Sequence, residues 1–248
     1  MQTNLKITKE SVLELFDKQD YIALRAQFKE VEDADIAEIF SQSPISKSIH
    51  LFRLIPRVRR IEVFSHLDLE RQEGFVEELP ELLVTYLLNE MEPDDRTRLL
   101  ERLPEEIREK TLSQLDPKTR QVAWKLLSYP ESSVGRLMTP DLITLDSSMT
   151  VKEAFQKIRW TKTLSDEYLN HLFVVNKNRE LIGEVPLTSL VSADPLTVPV
   201  SDIMKTSLVT LNPMDDETLA VEVLRKYDRN SFPVVDEKNK LLGFVTGD

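Results

Sequence analysis

The side chains in this sequence that could do chemistry are mainly carboxylates. The chain has 43 Asp and Glu against 32 Lys and Arg, a formal net charge of -11, and both halves are acidic. Carboxylate oxygens are hard ligands of the kind that Mg²⁺ and Ca²⁺ prefer. The composition therefore favours divalent cations as partners, although an excess of carboxylates also serves simply to keep a protein soluble.

Catalytic groups of other kinds are scarce. The sequence has no cysteine, and its histidines, His50, His66 and His171, are isolated from one another. It contains no glycine-rich phosphate loop, and no acid and base pair stands out from the acidic background. We therefore predict that the protein is not an enzyme. Because an acidic chain without a basic stripe repels phosphate backbones, we also expect no nucleic-acid partner.

The first half of the chain must position its carboxylates on helices. Residues 1 to 130 contain a single glycine, Gly74, and are rich in Leu, Glu, Arg and Lys at helical spacing. A pair of an aliphatic residue and proline recurs at equal intervals, as Ile55-Pro56, Leu79-Pro80 and Leu103-Pro104. A fixed period of this length predicts a helical repeat.

A second set of residues keeps the same step and marks a second helix in each unit. Leu67, Met91 and Leu115 are each followed by an acid and then by a helix start, which is proline in the last two cases. Each unit is thus predicted to hold two helices of about ten residues that stack into a superhelical array. Such an array either offers an interaction surface or caps the second half.

The second half contains a βαββα unit twice. Leu137-Met138-Thr139-Pro140 corresponds to Ile203-Met204-Lys205-Thr206, and Leu172-Phe173-Val174-Val175 corresponds to Phe232-Pro233-Val234-Val235. In each copy a polar turn joins two apolar runs, which predicts a β-hairpin. The first copy is longer than the second between these segments, so we place an insertion at Trp160 to Asn170 of the first copy.

The second half resembles a pair of CBS domains, and the whole chain resembles the cytosolic region of MgtE-type magnesium transporters. The resemblance implies an α+β multidomain fold, in which an all-α helical-repeat superhelical domain precedes a tandem CBS-domain (βαββα) pair. Its expected domains are residues 1–130 (MgtE N-type), 135–198 (CBS 1) and 199–248 (CBS 2, truncated at its end).

The resemblance also implies the metal ligands and the function. In the family, Mg²⁺ bridges carboxylates of the N domain and the CBS pair and thereby favours the closed state of the transporter. The matching residues of this sequence are Glu62, Asp94, Asp216 and Asp228, with Asp95 and Asp248 beside matched positions. One acid of the family, a turn beyond Asp94, is Arg98 here. Asp94 and Asp95 also suit the N-terminus of a helix simply as charges.

Two alternative functions remain from the sequence. Many CBS pairs hold adenine nucleotides through a Gly-x-x-Thr-x-x-Asp ending, but here the first copy has Pro186 and Ser189 in place of Thr and Asp. The second copy has Gly243 and Thr246, and its Asp would be residue 249. The other alternative is a helical-repeat scaffold for protein interactions.

The sequence and the resemblance also give expectations about solubility, location and oligomeric state. The sequence has no apolar stretch of about 18 residues and no secretory signal, so we expect a soluble chain. The resemblance implies that the chain lies at the cytoplasmic face of the cell membrane and continues into a transmembrane domain. It also implies a homodimer formed through the CBS domains.

Overall fold

The computed structural model describes residues 7–161, 169, 172–227, 229 and 231–247. The chain divides into two compact units, residues 1–121 and 122–248. Among the described residues, no helix is long and apolar enough to cross a membrane. The predicted combination of a helical repeat followed by two small sheets is confirmed.

The first unit is helical throughout its described part. Its helices are α1 Lys9–Asp17, α2 Tyr21–Lys29, α3 Asp33–Gln42, α4 Ile45–Phe52, α5 Arg60–Ser65, α6 Leu69–Glu78, α7 Glu81–Glu90, α8 Pro93–Arg102 and α9 Glu105–Gln114. The next helix, α10 Pro117–Leu127, contains the boundary between the two units. A short 3-10 turn at Arg57–Arg59 precedes α5. As predicted, Pro80 and Pro104 stand at the N-caps of α7 and α9, and Pro93 is the first residue of α8.

The core of the first unit follows a regular step that is half of the predicted repeat. Phe28, Phe40, Phe52 and Phe64 are equally spaced in the sequence and fully buried. Consecutive rings lie edge to face, with centroids 6.0, 6.4 and 6.5 Å apart. Val76, Leu88, Leu100 and Leu112 continue the same step as buried residues. One helix and its turn thus form the structural module, and every module packs on the next.

Buried polar side chains recur at one position of three consecutive repeats. Ser48 Oγ donates to the carbonyl of Phe40 at 3.0 Å, and Gln72 Nε2 donates to that of Phe64 at 2.9 Å. Arg96 donates through Nε to Leu88 O and through Nη2 to Met91 O, both at 2.6 Å. The accepting carbonyls lie at helix C-termini, where intrahelical partners are missing. These side chains therefore tie each helix to the end of the one before it.

The second unit consists of two βα modules. Its elements are α11 Val134–Leu137, β1 Ile143–Asp146, α12 Val151–Trp160, β2 Leu172–Val175, β3 Leu181–Val185, α13 Leu187–Ser192, α14 Val200–Ile203, α15 Glu217–Tyr227, β4 Ser231–Val235 and β5 Leu241–Thr246. In the first module β2 pairs parallel with β1 and antiparallel with β3. In the second, β4 and β5 form the predicted hairpin.

One predicted strand does not form. The repeated βαββα pattern predicts a first strand of the second copy at Leu208 to Leu211, but this segment makes only an isolated parallel bridge between Leu211 and Val234. Pro233 in the facing strand has no backbone N–H, so a ladder along this edge lacks a donor there. The expected insertion at Trp160 to Asn170 falls largely outside the described residues.

The two modules are joined by exchanged backbone pairs. Thr139, before β1, exchanges hydrogen bonds with Phe244 of β5, and Lys205 exchanges them with Glu184 of β3. A side chain at Gly243 would collide with the carbonyl oxygen of Thr139, so this close approach requires glycine. Each copy of the repeated unit is therefore completed by the start of the other copy.

We predict that the buried Arg96 is essential for the stability of the first unit. Arg96→Leu would leave the carbonyls of Leu88 and Met91 without these donors, and should lower the free energy of unfolding by about 2 to 4 kcal/mol. The equivalent Arg120 donates to Ser113 O at 3.2 Å in an exposed site, so Arg120→Leu should change it by less than about 1 kcal/mol. Urea denaturation measures the free energy of unfolding of both variants. An equal decrease in the two would contradict the stabilising role assigned to the buried Arg96.

Candidate functional site

The first turn of α8 carries two of the predicted ligands side by side. Glu92 is the N-cap, Pro93 is the first helical residue, and Asp94 and Asp95 follow. The partial positive charge at a helix N-terminus favours carboxylates at these positions. Both aspartates are only partly exposed, so they lie at the edge of the packed helices.

Asp94 is the electrostatically unusual carboxyl of this turn. Burial, and after it like-charge repulsion from Asp95, raise the pKa of Asp94 to about 7. The backbone N–H groups of the turn and the Arg98 guanidinium oppose this shift. Near neutral pH the carboxyl is therefore protonated in a large share of the molecules. A bound cation would supply the positive charge that keeps it ionised.

Arg98 lies at the position where the resemblance leads one to expect an acid. Its Nη1 is 3.8 Å from Asp95 Oδ1, an ion pair between residues three apart on α8. Both side chains are about 40% exposed (42% and 39%), so the pair is weak. The guanidinium lowers the negative charge around both aspartates, but it forms its ion pair with Asp95, which makes Asp94 the stronger candidate for a cation ligand.

Glu62 lies on α5, in the first turn of this short helix, with its side chain exposed. The backbone carbonyl of Glu62 accepts a hydrogen bond from His66 N at 3.1 Å. The side chain is thus placed by a regular helix and is open to solvent. It can contribute a carboxylate oxygen to a hydrated ion.

Asp216 belongs to the second unit and precedes α15. Its Oδ1 accepts hydrogen bonds from Thr218 N at 2.9 Å and from Thr218 Oγ1 at 2.5 Å. The side-chain and backbone bonds from Thr218 lower the pKa of Asp216. The carboxylate is therefore ionised and oriented, and because both bonds use Oδ1, Oδ2 can serve as a ligand.

A feature that the sequence did not reveal lies next to Asp216. The backbone of Ser133 forms an isolated antiparallel bridge with Asp216, and Val134 N donates to Asp215 O at 2.9 Å. Ser133 is buried, and in the described part of the chain its hydroxyl has no hydrogen-bond partner. A serine in a loop gives no signal of such burial, so only the structure could find it.

The predicted ligands lie on several parts of the two units. Asp94 and Asp95 are neighbours on α8, whereas Glu62 lies on α5 and Asp216 precedes α15. Asp228 and Asp248 lie outside the described residues. Within the described ranges, no group of three or more histidines and acids has the geometry to hold a metal ion. Hydrated Mg²⁺ needs only one or two carboxylates, and the donors present are of the type it prefers.

Comparison with known proteins gives consistent matches along the chain. The model of the MgtE intracellular N domain matches residues 31–132, and the model of the CBS domain matches residues 134–195 and 200–247. The magnesium transporter MgtE of Bacillus subtilis is 29% identical over 224 residues, which are 90% of this chain and 49% of that protein. The magnesium transporter MgtE of Thermus thermophilus is 30% identical over 242 residues, 96% of this chain and 53% of that protein. The chain thus spans about half the length of these curated relatives.

Solved structures match over nearly the full chain. The cytosolic domain of the Mg²⁺ channel MgtE in complex with ATP has a TM-score of 0.84 and 28% identity, covering 96% of this chain and 97% of that one. The soluble part of a magnesium transporter has a TM-score of 0.82 at 22% identity, covering 97% and 94%, and so supports the fold.

We predict a pH dependence of stability that originates at Asp94. The folded chain holds the Asp94 proton to about pH 7, whereas an unfolded chain releases it near pH 4. The folded state thus binds more protons in between. In the absence of divalent cations, the free energy of unfolding should therefore fall as pH rises from about 4 to about 7.

Asp94→Asn should remove this contribution. At about pH 8 in a chelator the variant should be about 1 to 3 kcal/mol more stable than the parent, with no gain near pH 4. Glu70 is the exposed acid at the same position of the preceding repeat, so Glu70→Gln is the matched control. Denaturant titrations at several pH values measure the effect, and an equal gain in both variants would refute its origin in the burial of Asp94.

Proposed function

Because the chain belongs to the MgtE family, we propose that it is the Mg²⁺-sensing regulatory region of a magnesium transporter or channel. Two family models account for residues 31–132 and for most of 134–247, and both curated relatives that match most of the chain are magnesium transporters. We also propose that it has no enzyme activity, since the two relatives that match most of the chain are transporters. We place the chain at the cytoplasmic face of the cell membrane, as the cytosolic domain of the related channel.

The observation that carries the proposal is the state of Asp94. A half-buried carboxyl with a pKa near 7 beside a second carboxyl is unfavourable without a counter-charge. Asp94 lies at the ordered start of a helix, so its position is fixed before a cation arrives. A divalent cation would relieve both the burial cost and the repulsion from Asp95. This gives the site its preference for the cation-bound state.

In the proposed mechanism Mg²⁺ acts as an electrostatic switch. Without the cation, facing carboxylates repel each other by about 1 to 4 kcal/mol per close pair, depending on the effective dielectric constant. Mg²⁺ bridges acids of the N domain, Glu62 and Asp94, and acids of the CBS pair, Asp216 and Asp228. It favours the bridged state by its differential affinity for that state, and in the intact transporter this closes the pore.

The greater length of the curated relatives bears on what the full-length protein contains besides this chain. The chain matches 49% and 53% of the two curated magnesium transporters. We propose that a transmembrane domain is covalently continuous with the CBS pair in the full-length protein. This chain would then control a pore that another part of the polypeptide forms.

We further propose a homodimer that forms through the CBS domains. Large apolar side chains are exposed on the two equivalent helices of the second unit, namely Trp160 on α12 and Leu219, Val221 and Tyr227 on α15. Exposed apolar residues on repeated helices suit an isologous contact with a second copy. Light scattering tests the dimer, since a monomer at tens of micromolar with and without Mg²⁺ would exclude it.

An adenine-nucleotide sensor is the second candidate function. It is favoured by the related structure that contains ATP. In this chain Gly243 and Thr246 retain part of the nucleotide-binding ending of the second CBS copy, while Pro186 and Ser189 depart from it in the first. Calorimetry with Mg²⁺, Ca²⁺ and ATP separates the two functions. A binding heat on titration with ATP in the presence of a chelator, together with no binding heat on titration with Mg²⁺ alone, would favour the nucleotide sensor.

We predict that Mg²⁺ in the millimolar range compacts the chain. The radius of gyration from small-angle scattering should fall between zero and about 20 mM Mg²⁺, the range expected for weak carboxylate sites. The double variant Asp94→Asn with Asp216→Asn should require about tenfold more Mg²⁺. It should also be more compact than the parent without Mg²⁺, because repulsion is reduced.

The control is Glu70→Gln with Asp141→Asn, which removes one exposed acid from each unit. This variant loses the same net charge, so it should respond to Mg²⁺ like the parent. A radius of gyration of the parent that does not change over the whole titration would refute the switch. Loss of folding is recognised separately, because it expands the chain in both conditions.

A further inference from the structure

Three arginines of the first unit that form no ion pair with the described residues lie close together in the sequence. Arg53, Arg57 and Arg60 lie in one short segment between α4 and the start of α5. In the same segment Arg59 does pair with an acid, Asp33, at 2.6 Å. The local excess of positive charge is therefore not neutralised by the described fold.

Two of these arginines are held in place by contacts with neutral groups. The guanidinium carbon of Arg57 lies 4.4 Å from the centroid of the Tyr86 ring. Arg60 donates through Nε to Ile55 O and through Nη2 to Arg53 O, both at 3.0 Å. Cation–π stacking and carbonyl bonds fix the two side chains without cancelling their charge. They are preorganised for an anion from outside the chain.

Exposed aliphatic side chains accompany the arginines. Val58 is 81% exposed and Leu82 is 88% exposed, and they occupy equivalent positions of consecutive repeats. Arg57 adjoins Val58 in sequence and stacks on Tyr86, which lies one helical turn after Leu82. The contact between Arg57 and Tyr86 thus brings the two aliphatic residues to the same edge of the unit. We call Arg53, Arg57, Val58, Arg60, Leu82 and Tyr86 the arginine–aliphatic patch.

The acids nearest in sequence do not reverse the charge of the patch. Glu81 precedes Leu82, but it forms an ion pair with Lys110 and accepts a bond from Gln114 Nε2 at 3.1 Å. Glu62 follows Arg60 closely on α5 and is exposed. The patch has three arginines, and of these two acids only Glu62 is without an ion pair in the described part of the chain, so the charge of the patch is positive. Two nearly fully exposed aliphatic side chains, Val58 and Leu82, add apolar surface to this positive charge.

We propose that the arginine–aliphatic patch is a contact surface for a bilayer that contains anionic phospholipids. Guanidinium groups bind phosphate oxygens bidentately, and protruding aliphatic side chains enter the headgroup region. The inference rests on the proposed function, because a transporter would hold this chain beside a membrane. An acidic protein segment carries negative charge as anionic phospholipids do. The protruding side chains of Val58 and Leu82 nevertheless favour a bilayer, because its deformable surface can accommodate them, over the preformed surface of a protein.

The test is flotation of the whole chain with vesicles in a chelator, so that no cation can bridge acids to lipid. Vesicles of phosphatidylcholine alone are compared with vesicles that also contain phosphatidylglycerol. Binding should occur with the anionic vesicles and should be lost when NaCl is raised from about 30 mM to about 500 mM. Arg53→Gln and Arg57→Gln should each lower the partition coefficient about fivefold.

Further variants separate the aliphatic part of the patch from its charge. Val58→Ser with Leu82→Ser should weaken binding while the salt dependence persists. The matched control is Ile22→Ser with Arg25→Gln on α2, where Ile22 is 85% exposed, and it should bind like the parent. Circular dichroism verifies that every variant is folded, so a loss of binding can be assigned to the patch.

Several outcomes would overturn the proposal. The parent chain could fail to bind anionic vesicles, or it could bind both kinds of vesicle equally. The control variant could also lose as much vesicle binding as the patch variants do. Binding to polyglutamate without binding to vesicles would assign the patch to an acidic protein partner instead. Mg²⁺ calorimetry on the same preparation tests the proposed function independently, so a chain that binds Mg²⁺ but no lipid refutes only this inference.

Discussion

The first unit depends on one constraint, which is that a helix of about ten residues cannot bury its apolar face alone. The core meets this constraint because its apolar residues recur at a fixed interval in the sequence. An apolar side chain therefore occupies the same position in successive helices and packs on the next one. Phe28, Phe40, Phe52 and Phe64 illustrate it, with each ring packed on the next. Stability in this unit is therefore shared between neighbouring helices, and no single helix is an independent element.

The same short helices create a second problem, since many carbonyl groups lie at helix ends. Ser48, Gln72 and Arg96 donate to such carbonyls from buried positions one repeat apart. The cost of burying a polar side chain is offset where every donor has a partner. This scaffold also places Asp94, because Asp94 lies in the first turn of α8, the helix that Arg96 fastens to its neighbour.

The two units supply different kinds of carboxylate to the proposed cation site. Asp94 is half-buried and holds its proton to about pH 7, whereas Asp216 is exposed and kept ionised by Thr218. A cation bound by both, as proposed, would displace a proton at the first and meet a charged ligand at the second. Binding of Mg²⁺ would then be linked to pH through the first unit.

The sequence by itself determined the architecture, because period and composition are local properties. The equal spacing of the proline pairs predicted paired helices, and the repeated apolar runs with polar turns predicted the hairpins that form β2–β3 and β4–β5. The carboxylates could be proposed as ligands only through resemblance, and their assignment as a site is still a prediction. Tertiary structure decided that the segment before Leu211 pairs too weakly to be a strand, that burial raises the pKa of Asp94, and that Arg57 meets Tyr86. Each of these depends on which distant residues lie close together, and a pattern along the chain does not contain that information.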